Sequence, residues 1–233
     1  GALVVVIDRS GSMGSTVGGT NKSQQEIANE AALLALSSLY PQDLVGVIAF
    51  DNSAKTIVKL QLNTDFRTFA DKVRSIAPGG GTNIYSGLEA AYEDLAKVTT
   101  DEAAIKHVIL LTDGQSQNAF YARLVGNMRK AGITVSTIGV GDGHDATLLG
   151  QIANMGGGKY HPVVNPNLLP QIFVKEAKTI RKNLIKEKTF QPELVNTGSP
   201  IMANITAVPR LRGLVLTGPK QDVRVMTPIV GPE

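Results

Sequence analysis

Four short runs, Leu3–Asp8, Val45–Asp51, His107–Asp113 and Thr134–Val140, are mostly apolar and rich in Val and Ile. A strand that meets water on one face alternates apolar and polar residues, whereas a run without alternation belongs to a strand covered on both faces. Helical patterns stand between these runs, over Ser23–Tyr40, Thr64–Ile76, Asn83–Val98 and Ala119–Ala131. In the first, Ile27, Ala31 and Leu34 share a face beside Ala28, Ala32, Ala35 and Leu39, and the small residues allow close approach to a sheet. Pro41 ends that helical region, and Gly132 follows the fourth as a C-terminal glycine. Buried strands separated by helices imply a doubly wound α/β sheet, mostly parallel and Rossmann-like. Lys55–Leu60 follows Val45–Asp51 after only three residues. That is too short for a crossover, so this strand is expected to be antiparallel and at an edge. Asp145–Ala153 reads as a short helix, Lys159–His161 as a short last strand and Leu168–Lys186 as a last helix.

After about Leu184 the pattern changes. Pro192, Pro200, Pro209, Pro219, Pro228 and Pro232 arrive at close intervals between short β-type runs such as Leu214–Thr217 and Val223–Met226. Residues 1–184 therefore read as one α/β domain. Residues 185–233 read as a β-rich segment, a fragment of a neighbouring domain too small to build its own core. The first residues, Gly1–Ile7, already belong to a core strand, so the chain reads as a piece of something longer.

Composition narrows the function. Apolar residues are 42% and charged residues 18% of the 233, an ordinary globular balance. No apolar run approaches the ~18 residues of a membrane span, so direct insertion by this chain is not expected. The absence of cysteine excludes disulfides, thiolate metal sites and a cysteine nucleophile. The net charge of +3 comes from a basic excess after residue 170. It is not interleaved with aromatics and there is no Trp, so a solvated face is expected there, not a nucleic-acid site.

The chemistry lies at the strand ends, where ligands bind in open α/β sheets. The first strand runs into Asp8-Arg9-Ser10-Gly11-Ser12, a carboxylate and two hydroxyls with Gly11 permitting a tight turn. These are hard oxygen donors suited to Mg²⁺ or Ca²⁺. Alone, the pattern equally describes a polar loop or helix cap. Two further segments add to it. Pro78-Gly79-Gly80-Gly81-Thr82-Asn83 offers the Thr82 hydroxyl where a helix begins. Leu110-Leu111-Thr112-Asp113-Gly114 offers a second carboxylate at the end of a strand that a doubly wound order sets beside the first. The set Asp8, Ser10, Ser12, Thr82 and Asp113, in this order, resembles the metal-ion-dependent adhesion site (MIDAS) of von Willebrand factor A domains, over roughly residues 1–180.

The resemblance implies a function. Ser10, Ser12 and Thr82 would coordinate a divalent ion (Mg²⁺, or Mn²⁺ or Ca²⁺) directly, with Asp8 and Asp113 acting largely through water or from behind. An open position would accept an Asp or Glu carboxylate from a protein partner. The expectation is a binding or recruitment module and not an enzyme. The alternative is a hydrolase in which the same ion activates water, but no His or third carboxylate falls on the motif as a general base.

Other candidates are weaker. His107, His144 and His161 are scattered and read as structural. Ser12 and Ser86 lack a Gly-x-Ser-x-Gly elbow, and Gly79–Gly81 lacks the Gly-Lys-Ser/Thr ending of a P-loop. Asp51 and Asp142 read as turn formers. Phe120, Tyr121 and the Met13–Asn21 loop lie near the rim, the loop being the better place for partner specificity.

The wording of the motifs, notably Val6-Ile7-Asp8-Arg9-Ser10-Gly11-Ser12-Met13, Asp43–Asp51 and Leu111-Thr112-Asp113-Gly114-Gln115-Ser116, is similar to large bacterial membrane proteins that join an A domain to a glutamine-amidotransferase-like domain. Membrane association would then come through the parent protein. With no cysteine, amidotransferase activity cannot reside in this chain. Gly14–Asn21 is longer than that pattern, which limits any transfer of partner identity.

Overall fold

A computed structural model describes residues 1–116, 119–181, 185–186, 189–194, 207, 209–212, 214–215 and 229–230. The chain divides into two units, Gly1–Ile180 and Arg181–Glu233. The first unit runs β1 (Ala2–Asp8), α1 (Gln24–Ser37), β2 (Leu44–Phe50), β3 (Ala54–Leu62), α2 (Phe66–Arg74), α3 (Ile84–Leu95), β4 (Lys106–Thr112), α4 (Tyr121–Lys130), β5 (Ile133–Val140), α5 (Ala146–Gly156), β6 (Gly157–Val163) and α6 (Leu169–Ala177). Its six strands form one sheet in the order β3-β2-β1-β4-β5-β6. All neighbours are parallel except β2 and β3, so β3 is the antiparallel edge.

Every residue of β1 is buried, which explains its unbroken apolar run. Leu3, Val5 and Ile7 enter one core with α1, α2 and α6, whereas Ala2, Val4 and Val6 enter the other with α3, α4 and α5. Ala28, Ala31, Ala32 and Ala35 let α1 lie close to the sheet. On the opposite face Gly87 performs the same service for α3. A Cβ there would stand 2.8 Å from Val6 Cγ1 and 2.9 Å from Phe50 Cδ1, which a close-packed core does not admit. Ser23 and Glu26 close a capping box at the start of α1.

The last helix departs from the sequence expectation of Leu168–Lys186. α6 ends at Ala177 and passes into a 3-10 turn, Lys178–Arg181. The Thr179 hydroxyl donates to the Glu176 carbonyl at 2.6 Å, and β-branched Thr179 and Ile180 are poor continuations of a helix. β6 is longer than expected, and lies at the other edge.

In the second unit, β7 (Ile185–Lys186) pairs antiparallel with β9 (Leu214–Val215), and β8 (Glu193–Leu194) with β10 (Ile229–Val230). Phe190 and Leu211 exchange backbone hydrogen bonds at 2.9 and 3.0 Å. The expected run Val223–Met226 lies outside the described residues, as do residues 216–217 of Leu214–Thr217. Among the described residues, no helix is long and apolar enough to cross a membrane.

Candidate metal site

β1 and β4 are parallel neighbours in register, Ile7 opposite Leu111, so Asp8 and Asp113 leave the sheet at the same rim. Asp8, the last residue of β1, is fully buried. Its Oδ1 accepts the Ser10 N–H at 2.6 Å, and its Oδ2 accepts the Thr112 hydroxyl. The chain then turns through Gly11–Gly14, a 3-10 turn that buries Met13 and leaves Ser12 exposed. Ser10 Oγ and Ser12 Oγ are 3.1 Å apart, and Ser12 Oγ donates to Asp113 Oδ1 at 2.7 Å. Four of the five predicted residues are thus linked by hydrogen bonds, Asp8 to Ser10 through the backbone N–H and Ser10, Ser12 and Asp113 through side-chain oxygens.

Thr82 lies beside Gly114, the residue that follows Asp113. A Cβ on Gly114 would stand 3.0 Å from Thr82 Oγ1, so the bare glycine after Asp113 lets this hydroxyl reach the rim. The Ser116 hydroxyl accepts the Ile84 N–H at 3.0 Å and donates to the Thr82 carbonyl at 3.4 Å, tying the start of α3 to the segment after β4. The site opens outward from buried Asp8 and Ser10 to exposed Ser12 and half-buried Thr82.

The electrostatics fit a cation. Burial pushes the Asp8 carboxyl up to about 6, against the opposing hydrogen bonds from Thr112 and Ser10. Burial also raises Asp113, against the hydrogen bond from Ser12. Among the described residues, neither carboxylate is paired with Lys, Arg or His. The His144 imidazole acts on Asp113 only as the smallest of its influences. Two adjacent buried carboxylates without an ion-pair partner are costly, and a divalent ion is the group that would neutralise both. Hydroxyl and carboxylate oxygens are the donors that Mg²⁺, Mn²⁺ and Ca²⁺ take.

The remaining candidates separate clearly. Ser86 donates to the Asn83 carbonyl at 2.9 Å and faces α3's own first turn. Asp51 forms an ion pair with Arg9 at 3.2 Å, and Asp142 is exposed. Tyr121, expected near the rim, is buried and its hydroxyl lies 2.8 Å from Ser116 Oγ. Phe120 is 84% exposed. The Met13–Asn21 loop is tied down by Val17 N–H to the Lys22 carbonyl at 2.9 Å, while Gly14, Ser15, Thr16, Gly18 and Gly19 stay exposed.

The histidines are not isolated. His144 makes contacts of 2.7 Å to the Gly141 carbonyl and 2.6 Å to the Tyr160 hydroxyl. His161 lies 2.8 Å from Glu176 Oε1, and His107 faces Oε2 of the same carboxylate at 3.4 Å. Sequence reasoning missed this convergence because it joins β4, β6 and α6, which no local spacing links. It also missed Thr112, for which a signal existed: a hydroxyl in an otherwise apolar buried strand needs a partner.

The sequence profile of the von Willebrand factor type A domain matches residues 2–175. The chain is 32% identical over 168 residues to the uncharacterized protein sll0103 of Synechocystis sp., a match covering 71% of this chain and 38% of that protein. The chain thus corresponds to well under half of that relative's length. Among solved structures, an aerotolerance-related membrane protein of Bacteroides fragilis superposes with a TM-score of 0.64 at 20% identity, over 76% of this chain and 98% of that one. Proximal thread matrix protein 1 of the mussel byssus, with zinc in its MIDAS motif, gives 0.62 at 22% identity, over 80% and 49%.

Proposed function

Because the chain belongs to the von Willebrand factor type A domain family, we propose that it is a divalent-metal-dependent protein-binding module with no catalytic role. The observation that carries this reading is the bond from Ser12 to Asp113 beside buried Asp8, in which two carboxylates lack a cationic partner and two serine hydroxyls face the same point.

Ser10, Ser12 and Thr82 are the proposed direct ligands of Mg²⁺, or of Mn²⁺ or Ca²⁺. The ion would still attract an anionic group, since the three proposed direct ligands are neutral hydroxyls and the two carboxylates stand behind them. Asp8 and Asp113 hold the hydroxyls in place, and Thr112 and the Ser10 N–H fix Asp8 in turn. Ser12 and Thr82 stand toward solvent, which is where a partner's Asp or Glu carboxylate would approach. Zinc in the corresponding motif of the byssus protein supports metal binding at this rim, without fixing which ion serves here.

The proposed setting is a membrane-anchored bacterial parent with an amidotransferase-like domain. Its membrane part finds support in the aerotolerance-related membrane protein of similar fold. Its amidotransferase part rests on the wording of the motifs alone. The test is capture of a partner from an extract of the source organism by immobilised chain. The partner is expected to be held in Mg²⁺, released by EDTA and bound weakly by Thr82→Ala. Capture that persists in EDTA would place recognition elsewhere, and Asp8-dependent turnover of a phosphodiester or ester would make the hydrolase reading the correct one.

A further inference from the structure

The geometry points to Asn52, in the turn between β2 and β3, as a positioning residue that sets Thr82 for the metal. This rests on the metal reading above and extends it to a segment outside the motif. Thr82 sits in a run of five residues whose other four members are each tied down. Gly79 N–H donates to the Arg9 carbonyl at 2.6 Å, and the Gly80 carbonyl accepts Gly11 N–H at 3.1 Å. Gly81 N–H donates to Asn52 Oδ1 at 3.0 Å. Asn83 N–H donates to the Asp51 carbonyl at 2.7 Å, and Asn83 Nδ2 to the Asn52 carbonyl at 3.2 Å.

These ties come from two sources. Gly79 and Gly80 are held by the Asp8–Ser12 segment that carries the motif. Of the immediate neighbours of Thr82, Gly81 is held by Asn52, and Asn83 by Asp51 and Asn52 together with Ser86 in the first turn of α3. The fit is close as well as hydrogen-bonded. Gly80 has φ +83° and a Cβ on it would stand 2.9 Å from Asp51 Cβ, while a Cβ on Gly81 would stand 2.5 Å from Asn52 Oδ1. A backbone without side chains is therefore pressed onto this turn. Asn52 is exposed and fills no core, so folding alone does not account for its fit to Gly81. A hydroxyl ligand contributes only when its backbone is held still, and the carboxamide of Asn52 holds the residue directly before it.

Asn52 is the clean position to test, because it is neutral. Replacing Asp51 would also remove a charge near the ion. Mn²⁺ affinity is measured by calorimetry for the full chain and for Asn52→Ala, Thr82→Ala and the double variant, with the thermal midpoint of each metal-free protein. Asn52→Ala is expected to weaken Mn²⁺ binding about threefold, because Thr82 loses its fixed position, and to lower the metal-free midpoint by no more than the loss of one exposed hydrogen bond would. In the Thr82→Ala background it is expected to do nothing more, since its effect passes through Thr82. Gly81→Ala, which drives Asn52 Oδ1 away, is expected to reproduce the loss. Wild-type affinity in Asn52→Ala, or an equal loss with and without Thr82, would overturn the inference while leaving the metal site intact. A wild-type chain that binds no Mn²⁺ would overturn both.

Discussion

The Ser12 hydroxyl donates to Asp113 Oδ1 at 2.7 Å, joining residues 101 positions apart in the chain. The bond exists because β1 and β4 are parallel neighbours that end at one rim. It orients the Asp113 carboxylate and fixes the most exposed hydroxyl of the site. Ser12→Ala removes an oxygen donor and frees Asp113 at once. Metal affinity is expected to fall on the order of tenfold, as for lost ligand-orienting contacts elsewhere. The fold should persist, since Ser12 is exposed. Calorimetric titration with Mg²⁺ or Mn²⁺ reads the effect, and unchanged affinity would remove Ser12 from the site.

Proton linkage gives a second prediction. Burial lifts Asp8 from its ordinary 3.8 to about 6 in the metal-free fold. A raised folded-state pKa means stability that is full below about pH 4 and lost as pH rises through about 6, a cost of about 3 kcal/mol for this buried group. The ion requires the ionised form and reverses that cost. Affinity is therefore expected to climb by up to tenfold per unit from about pH 5 to about pH 6 and to level off above about pH 7. Titrations in buffers of different ionisation enthalpy should show proton release below the plateau. Affinity independent of pH between about 5 and 7 would contradict the burial argument.

Much of this was legible in the sequence for physical reasons. The strands could be read because burial on both faces favours apolar residues at consecutive positions, as in Ala2–Ile7 of β1. Asp8, Ser10 and Ser12 could be read because one turn holds all three. Thr82 and Asp113 could be assigned only through a resemblance, since their approach to Asp8 depends on strand order. The end of α6 was misjudged because its apolar spacing runs on through Ile180, which is buried. The competing side-chain bond from Thr179 leaves no trace in periodicity. Asn52 was invisible, since an exposed Asn in a turn has no pattern that reports the backbone resting on it.

Glu176 carries the third prediction. It is 2% exposed, and burial alone would raise its pKa. The His107 and His161 imidazoles and the Ser136 hydroxyl outweigh burial and hold the carboxyl well below the usual range. A depressed pKa gives stability that is present above the ordinary 4.5 and lost as pH falls below it. Glu176→Ala leaves two imidazoles without their partner and is expected to cost about 3 kcal/mol, read by chemical denaturation. Metal affinity should not change, because His107 lies about 20 Å along β4 from Asp113. A fall in metal affinity would mean that the α6 anchor and the rim are coupled.

The central claim is that five oxygen-bearing side chains, Asp8, Ser10, Ser12, Thr82 and Asp113, hold one divalent ion. Asp8 and Asp113 test it best, because they are the only carboxylates in the set and the rest of the site is neutral. The most direct measurement is calorimetric titration of Mg²⁺, Mn²⁺ and Ca²⁺ into the chain and into Asp8→Ala and Asp113→Ala, each shown to be folded by circular dichroism. The account predicts saturable binding of one ion by the unaltered chain and none by either variant. Folded variants that bind as the unaltered chain does, or an unaltered chain that binds none of the three ions, would contradict it.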